Sequence, residues 1–140
     1  MKKCVFFFCL ALSLVGCSTA TTVADEPLQG RYWRAVEIEG KPVSVTRDPA
    51  EPHVVLAEDM RAYGSDGCNS FTGSYTLSPG LHFDQLASTM MACLPSINVM
   101  ASEFSSALAS TANYQTNGKQ MLLRDAAGRV RLRLEATLLK

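Results

Sequence analysis

Apolar positions along this chain change their pattern several times. Val5 to Val15 is an apolar run behind Lys2 and Lys3, about as long as a signal h-region and short of the ~20 residues a membrane-spanning helix needs. Ser18 to Pro27 is rich in Ser, Thr and Ala without periodicity, the composition of a flexible tether. From Leu28 the pattern becomes strand-like. Arg31–Ile38 carries Tyr32, Trp33, Val36 and Ile38 and ends at the turn signal Glu39-Gly40. Lys41–Val45 is expected to return as a short strand, and Thr46–Pro52, with two prolines, reads as a surface loop. His53–Leu56 and Met60–Tyr63 are the next strand candidates, joined by a turn at Ala57-Glu58-Asp59. Ser70–Leu77 alternates Phe71, Gly73, Tyr75 and Leu77 with polar residues, the signature of a half-buried strand. Leu81, Phe83 and Leu86 mark its partner beyond Ser78-Pro79-Gly80, and Gly73 predicts a bend or a close backbone approach.

Between Pro95 and Thr111 the period lengthens. Ile97, Met100, Phe104, Leu108 and Thr111 recur at spacings of three and four, which predicts a helix with Ser96 as its N-cap and a stripe given over to core packing. Asn117-Gly118 then predicts a type I′ hairpin turn between Asn113–Thr116 and Lys119–Arg124. In Arg129–Leu134 three arginines alternate with Val130, Leu132 and Leu134, putting the guanidinium groups on one strand face. Such a row is usually the solvated face of a strand; an acidic envelope partner is the sharper reading.

The leader carries more than a cleavage site. Leu14-Val15-Gly16-Cys17 resembles the bacterial lipobox, whose cysteine becomes the acylated first residue of the mature protein. Residues 1–16 are therefore expected to leave as a lipoprotein signal peptide, 17–27 to act as tether, and 28–140 to form the domain. Ser18 after the lipidation site Cys17, in place of Asp, points to the outer membrane facing the periplasm. Several acyl chains anchor firmly, since each buried methylene contributes about 0.8 kcal/mol.

That processing changes the cysteine arithmetic. Of five cysteines, Cys4 and Cys9 leave with the leader and Cys17 is acylated, so Cys68 and Cys93 remain for a disulfide in an oxidising compartment. The loop it closes is about 25 residues long, worth at most roughly 3.5 kcal/mol. No metal and no cofactor is expected, because two cysteines plus His53 or His82 show no ligand spacing. Formal net charge is zero, becoming −2 once Lys2 and Lys3 are removed, so there is no electrostatic case for nucleic acid. A monomer is expected.

Several pieces in order resemble one family. These are Leu28, Gly30 and Trp33; Gly67-Cys68-Asn69 followed by Gly73-Ser74-Tyr75; Leu86 to Cys93 with Thr89 and Ala92; Met100, Glu103, Phe104 and Leu108; and Gly118 to Gly128 with Leu122 and Asp125. Together they look like the META domain of the HslJ family. The resemblance implies an α+β, mostly β fold, an antiparallel curved sheet or partial barrel packed around one α-helix, often carried by envelope lipoproteins. Members are linked to heat shock, novobiocin resistance and, in some organisms, motility or secretion. Ser70 departs from the arginine that many members carry after Gly-Cys-Asn. The motif residues Trp33, Gly67, Asn69, Gly73, Tyr75, Thr89, Ala92 and Glu103 read mostly as architecture.

The functional expectation is a non-enzymatic outer-membrane lipoprotein serving envelope integrity under stress, through an unknown envelope protein or component. The alternative is a periplasmic inhibitor of a lysozyme or protease, using Thr46–His53 or Gly64–Asn69 as an inserting loop. An enzyme is not expected: there is no Gly-x-Ser-x-Gly elbow, metal-ligand pair or phosphate loop.

Overall fold

The computed structural model describes residues 24–44 and 51–138. The expected leader, the lipidation site Cys17, the first part of the tether and Val45 to Ala50 lie outside the described residues.

Alternation builds the sheet. Its strands are β1 (Tyr32–Ile38), β2 (Lys41–Pro42), β3 (His53–Leu56), β4 (Arg61–Ser65), β5 (Ser70–Thr76) and β6 (His82–Ser88), then, after the helix α1 (Pro95–Ala109), β7 (Thr111–Asn117), β8 (Gln120–Asp125) and β9 (Val130–Thr137). All pairings are antiparallel, in the spatial order β6-β5-β4-β3-β1-β9-β8-β7, with β2 on β1. The sheet curls so that its edges β6 and β7 approach, and the Leu81 N–H donates to the Ala112 carbonyl at 3.2 Å. Gly80 sits at that seam with φ 68°, where a Cβ would collide with the Ala112 carbonyl. The expected curved sheet around one helix is what the chain forms.

Its concave face is the core. Trp33, Leu56, Phe71, Tyr75, Leu123, Leu132 and Leu134 point inward onto Phe104, Ala107 and Leu108 of α1, all buried. The predicted stripe caught Phe104 and Leu108 but not Ala101 and Ala107, whose small side chains let the helix approach the strands closely. Ile97 and Met100 are only half-buried. Ser96 is not the N-cap: Leu94 takes that place without a side-chain bond, Pro95 occupies the first turn, and the Leu94 carbonyl accepts from the N–H groups of Ile97 and Asn98. Thr111 belongs to β7, since the helix closes at Ser110 and the Thr111 hydroxyl donates to the Ala107 carbonyl at 2.9 Å.

Irregularities re-aim side chains. Opposite Gly73 the β6 strand carries one extra residue, with Gln85 at φ 52°. A Cβ on Gly73 would lie 2.8 Å from the Asp84 carbonyl oxygen, so the expected close approach is a β-bulge. A second bulge in β1, between Ala35 and Glu37, turns both Glu37 and Glu39 outward while Ile38 stays in the core. At the β7–β8 turn, Asn117 pairs with Gln120, so the loop is Gly118-Lys119 and Gly118 alone has a positive φ, 60°. A type I′ turn requires two positive values, so the predicted turn is displaced by one residue.

Candidate functional site

The loop after β4 is built by one buried carboxylate. Asp66 is 3% exposed; its Oδ1 accepts from the backbone N–H of Cys68 at 2.8 Å and of Asn69 at 2.6 Å, and its Oδ2 from the Ser105 hydroxyl at 3.3 Å. This is an Asx-turn tied to the helix. Gly67 follows at φ 97°, its N–H donating to the Ser65 hydroxyl. Composition and periodicity do not single out Asp66; the signal that does is the Asp66-Gly67 turn pair, with the i+2 and i+3 donors where an Asx-turn places them. Asp66→Ala strands two backbone donors in a buried loop, and a loss of about 2 kcal/mol is expected in urea denaturation, since hydrogen bonds to a charged group contribute roughly 1.5–3 kcal/mol.

Asn69 carries the connection onward. Its Oδ1 accepts from the Met91 N–H at 2.8 Å and the Thr89 hydroxyl at 3.3 Å, while Ser70 and Thr89 exchange backbone and side-chain bonds. Cys68 and Cys93 are joined in a disulfide with Cα atoms 6.0 Å apart. Asn98 Nδ2 donates to the Cys93 carbonyl at 3.1 Å. Residues Thr89 to Cys93, which have no regular structure, are thus held at both ends. Ala92 is exposed within that segment.

The remaining motif residues lie elsewhere. Trp33 is fully buried and its indole N–H donates to the Leu28 carbonyl at 2.9 Å. The Tyr75 hydroxyl donates to the Ala57 carbonyl at 2.6 Å and accepts from Gln29. Glu103 faces Lys41 at 2.6 Å. That pair borders a groove of about 430 Å³ between the β1–β2 turn and the start of α1, lined by Ile38, Pro42, Val43, Ile97 and Met100.

Each arginine of the row has a carboxylate of the chain beside it, while Arg129 stays largely exposed. Arg131 is bonded to Glu39 at 2.6 Å and to the Ser110 hydroxyl at 3.0 Å, Arg129 to Asp125 at 2.8 Å, and Arg133 faces Glu37 at 3.7 Å. Arg34 adds Glu135 at 2.6 Å. The β1 bulge turns Glu37 and Glu39 toward Arg133 and Arg131, and such partly exposed pairs contribute about 0–1 kcal/mol each. Burial pushes the Asp125 carboxyl up, but bonds from the Arg129 N–H and guanidinium outweigh it and hold the group below the usual range.

On the same outer face His53 stacks on Tyr32, with ring centroids 4.1 Å apart. Burial lowers the His53 pKa, partly offset by its bond to the Glu51 carbonyl at 2.7 Å. Burial and the Glu51 carboxylate push Tyr32 up to about 12. Because the folded state prefers neutral His53, its contribution is complete above the ordinary value of 6.5 and is lost as pH falls through the folded value. Urea midpoints of the wild type are expected to decline more steeply than those of His53→Gln between about pH 7 and 5.

The loop Gly64–Asn69 does not project. Ser65 to Cys68 are buried, because Asp66 draws the backbone inward, so this loop cannot enter an enzyme's cleft. Most of Thr46–His53 lies outside the described residues. Among the described residues no cluster of three or more His, Cys, Asp or Glu is placed to hold a metal ion, and no helix is long and apolar enough to cross a membrane.

Comparison with known proteins places this architecture. The META domain family matches residues 26–137. Heat shock protein HslJ of Escherichia coli (strain K12) is 34% identical over 130 residues, covering 90% of this chain and 91% of that protein. A protein solved by NMR superposes with a TM-score of 0.62 at 31% identity, over 77% of this chain and 90% of that one. An NMR structure of a protein from Burkholderia xenovorans gives 0.60 at 21% identity, over 87% and 97%, a likeness of fold alone.

Proposed function

The chain belongs to the META domain family, and on that premise we propose that it is a non-enzymatic lipoprotein of the outer membrane, facing the periplasm, that supports envelope integrity under stress by binding a protein or other envelope component. The observation that carries the binding reading is how the motif spends its polar groups. Asp66 is engaged with backbone groups of its own loop, Asn69 and Thr89 with backbone groups of each other's segment, and Trp33 and Tyr75 with the carbonyls of Leu28 and Ala57. They fix surfaces in place. The anchor rests on Leu14-Val15-Gly16-Cys17, and the link to stress on likeness to a protein named for heat shock. The inhibitor alternative loses one of its two candidate loops, because Gly64–Asn69 is drawn inward.

The test uses cells lacking the protein, complemented with wild type or Cys17→Ser. Labelling with an alkyne fatty acid is expected to mark the wild type only, and survival after a heat shift or novobiocin to be restored only by the wild type. An unlabelled wild type, or full rescue by Cys17→Ser, contradicts the reading.

A further inference from the structure

The methionines differ in what covers them. Of six in the chain, Met60, Met90, Met91, Met100 and Met121 lie among the described residues. Met121 is fully buried in the core, and Met100 packs against it. Met60 is 37% exposed, with Gln29 Nε2 at 3.9 Å from its sulfur. Met90 is 99% exposed and Met91 63%, although methionine is among the residues most often found inside a protein. The fold does not use these two side chains. Met91 contributes a backbone N–H to Asn69 and a carbonyl 3.6 Å from the Cys68 sulfur, groups that any residue other than proline supplies. The loop is secured through Asn69, Thr89 and the Cys68–Cys93 bridge. With the backbone fixed on both sides, the two thioethers stay in water instead of collapsing onto the core.

Competing nucleophiles are closed off. Cys68 and Cys93 are joined to each other, so neither offers the thiolate that oxidants attack first. Trp33 and Tyr75, the other oxidisable side chains of the core, are buried. After a thiolate, a thioether is the side-chain sulfur that two-electron oxidants convert most readily. Among the described residues, Met90 and Met91 present that sulfur to solvent most openly.

We propose that Met90, with Met91 beside it, is a reversible oxidation site whose reactant is a two-electron oxidant of the hydroperoxide or hypohalous acid class. With a hydroperoxide, a lone pair of Met90 Sδ attacks the terminal oxygen, and the S–O bond forms as the O–O bond breaks. The proton of the transferred hydroxyl passes to the leaving oxygen, which departs as water or an alcohol. Sulfur loses two electrons and the peroxide gains them. A methionine sulfoxide reductase reverses the step: two thiol hydrogens carry the oxygen off as water, and a disulfide forms on the reductase side. Position decides what the modification costs the fold. A sulfoxide on Met90 enters water that already surrounds the side chain, whereas one on Met121 would be a polar group without a partner in the core. The site captures oxidant without loosening the domain, and it does so whether or not Cys17 carries lipid.

Timed oxidation followed by peptide mass spectrometry tests this. The purified protein is treated with hydrogen peroxide and, separately, with hypochlorous acid. Met90 sulfoxide is expected to form at least tenfold faster than Met121 sulfoxide, with Met91 second and Met60 and Met100 behind them, and denaturant should bring all five rates together. Protein oxidised only at Met90 and Met91 should keep its thermal midpoint. The two reductases, one for each sulfoxide epimer, supplied with thioredoxin, should return both residues to methionine. Met90→Leu/Met91→Leu should lose the fast phase of peroxide consumption with an unchanged circular dichroism spectrum. In cells given a pulse of hypochlorous acid while protein synthesis is blocked, Met90 sulfoxide in the full chain should rise and then return to its starting level. Met90 oxidised no faster than Met121 in the folded protein overturns the proposal. So does a midpoint lowered by more than about 5 °C, a fast phase that survives in the double variant, or a sulfoxide that resists both reductases. In cells, no rise at Met90, or a rise that persists, also overturns it.

Discussion

Replacing Phe104 by alanine is expected to lower stability by about 4 kcal/mol, in the range of large-to-small aromatic changes in a core. Phe104 is fully buried at the middle of α1, its ring 6.2 Å from that of Phe71 on β5. It is the side chain by which the helix fills the concave face of the sheet. The surrounding strands are tied to one another by ladder bonds and cannot collapse onto the vacated volume, so the cavity persists. For a domain of this size the midpoint of thermal unfolding should fall by roughly 15–20 °C, read by circular dichroism. A loss below about 2 kcal/mol would mean that the helix moves in to fill the space, and that its position is less fixed than described.

Removing the disulfide ranks second. The bridge spans 25 residues, and loop closure of that length gives about 3.5 kcal/mol, with about 3 kcal/mol expected for the double variant Cys68→Ala/Cys93→Ala once residual structure in the unfolded chain is allowed for. The domain should remain folded, because the core cluster does not include either cysteine. Denaturation of the wild type with and without reductant measures the same quantity. A reductant effect under about 1 kcal/mol would show that the hydrogen bonds of Asn69 and Thr89 already close the loop without the bridge.

The strands were legible because alternation is a period-two signal written by burial itself. Ser70–Thr76 follows it nearly residue for residue, whereas His53–Leu56 buries Val54, Val55 and Leu56 in succession and was legible from its β-branched run instead. Alternation weakens where the backbone adds residues. The bulge at Val36 breaks the inward sequence Trp33, Ala35 into Ile38, and no periodic reading of β1 anticipates that this shift brings Glu37 and Glu39 to the arginines of β9. The helix was legible from Phe104 and Leu108, while Ala101 and Ala107 were silent because alanine carries little hydrophobic contrast. Its start was misread for a different reason: a serine after proline resembles a cap, yet the Leu94 carbonyl does the work. At the site, Cys68 and Cys93 follow from cysteine arithmetic, and Asn69 from its place in the Gly67-Cys68-Asn69 loop motif. Lys41, Met91 and Asn98 were invisible, because their partners lie 62, 22 and 5 residues away; packing of α1 against the β1–β2 turn brings the first pair together and the β5–β6 pairing beyond Phe71↔Ser88 the second.

The motif residues hold the exposed Thr89–Cys93 loop in place at the end of the curled sheet. Amide hydrogen exchange at Met91 in the wild type and in Asn69→Ala tests it most directly, because the Met91 N–H has the Asn69 side chain as its acceptor. The account predicts protection at Met91 in the wild type, lost at least tenfold in the variant, with the amides of β1, β8 and β9 unchanged. Equal exchange in both proteins, or a loss spread evenly across the barrel, would contradict it.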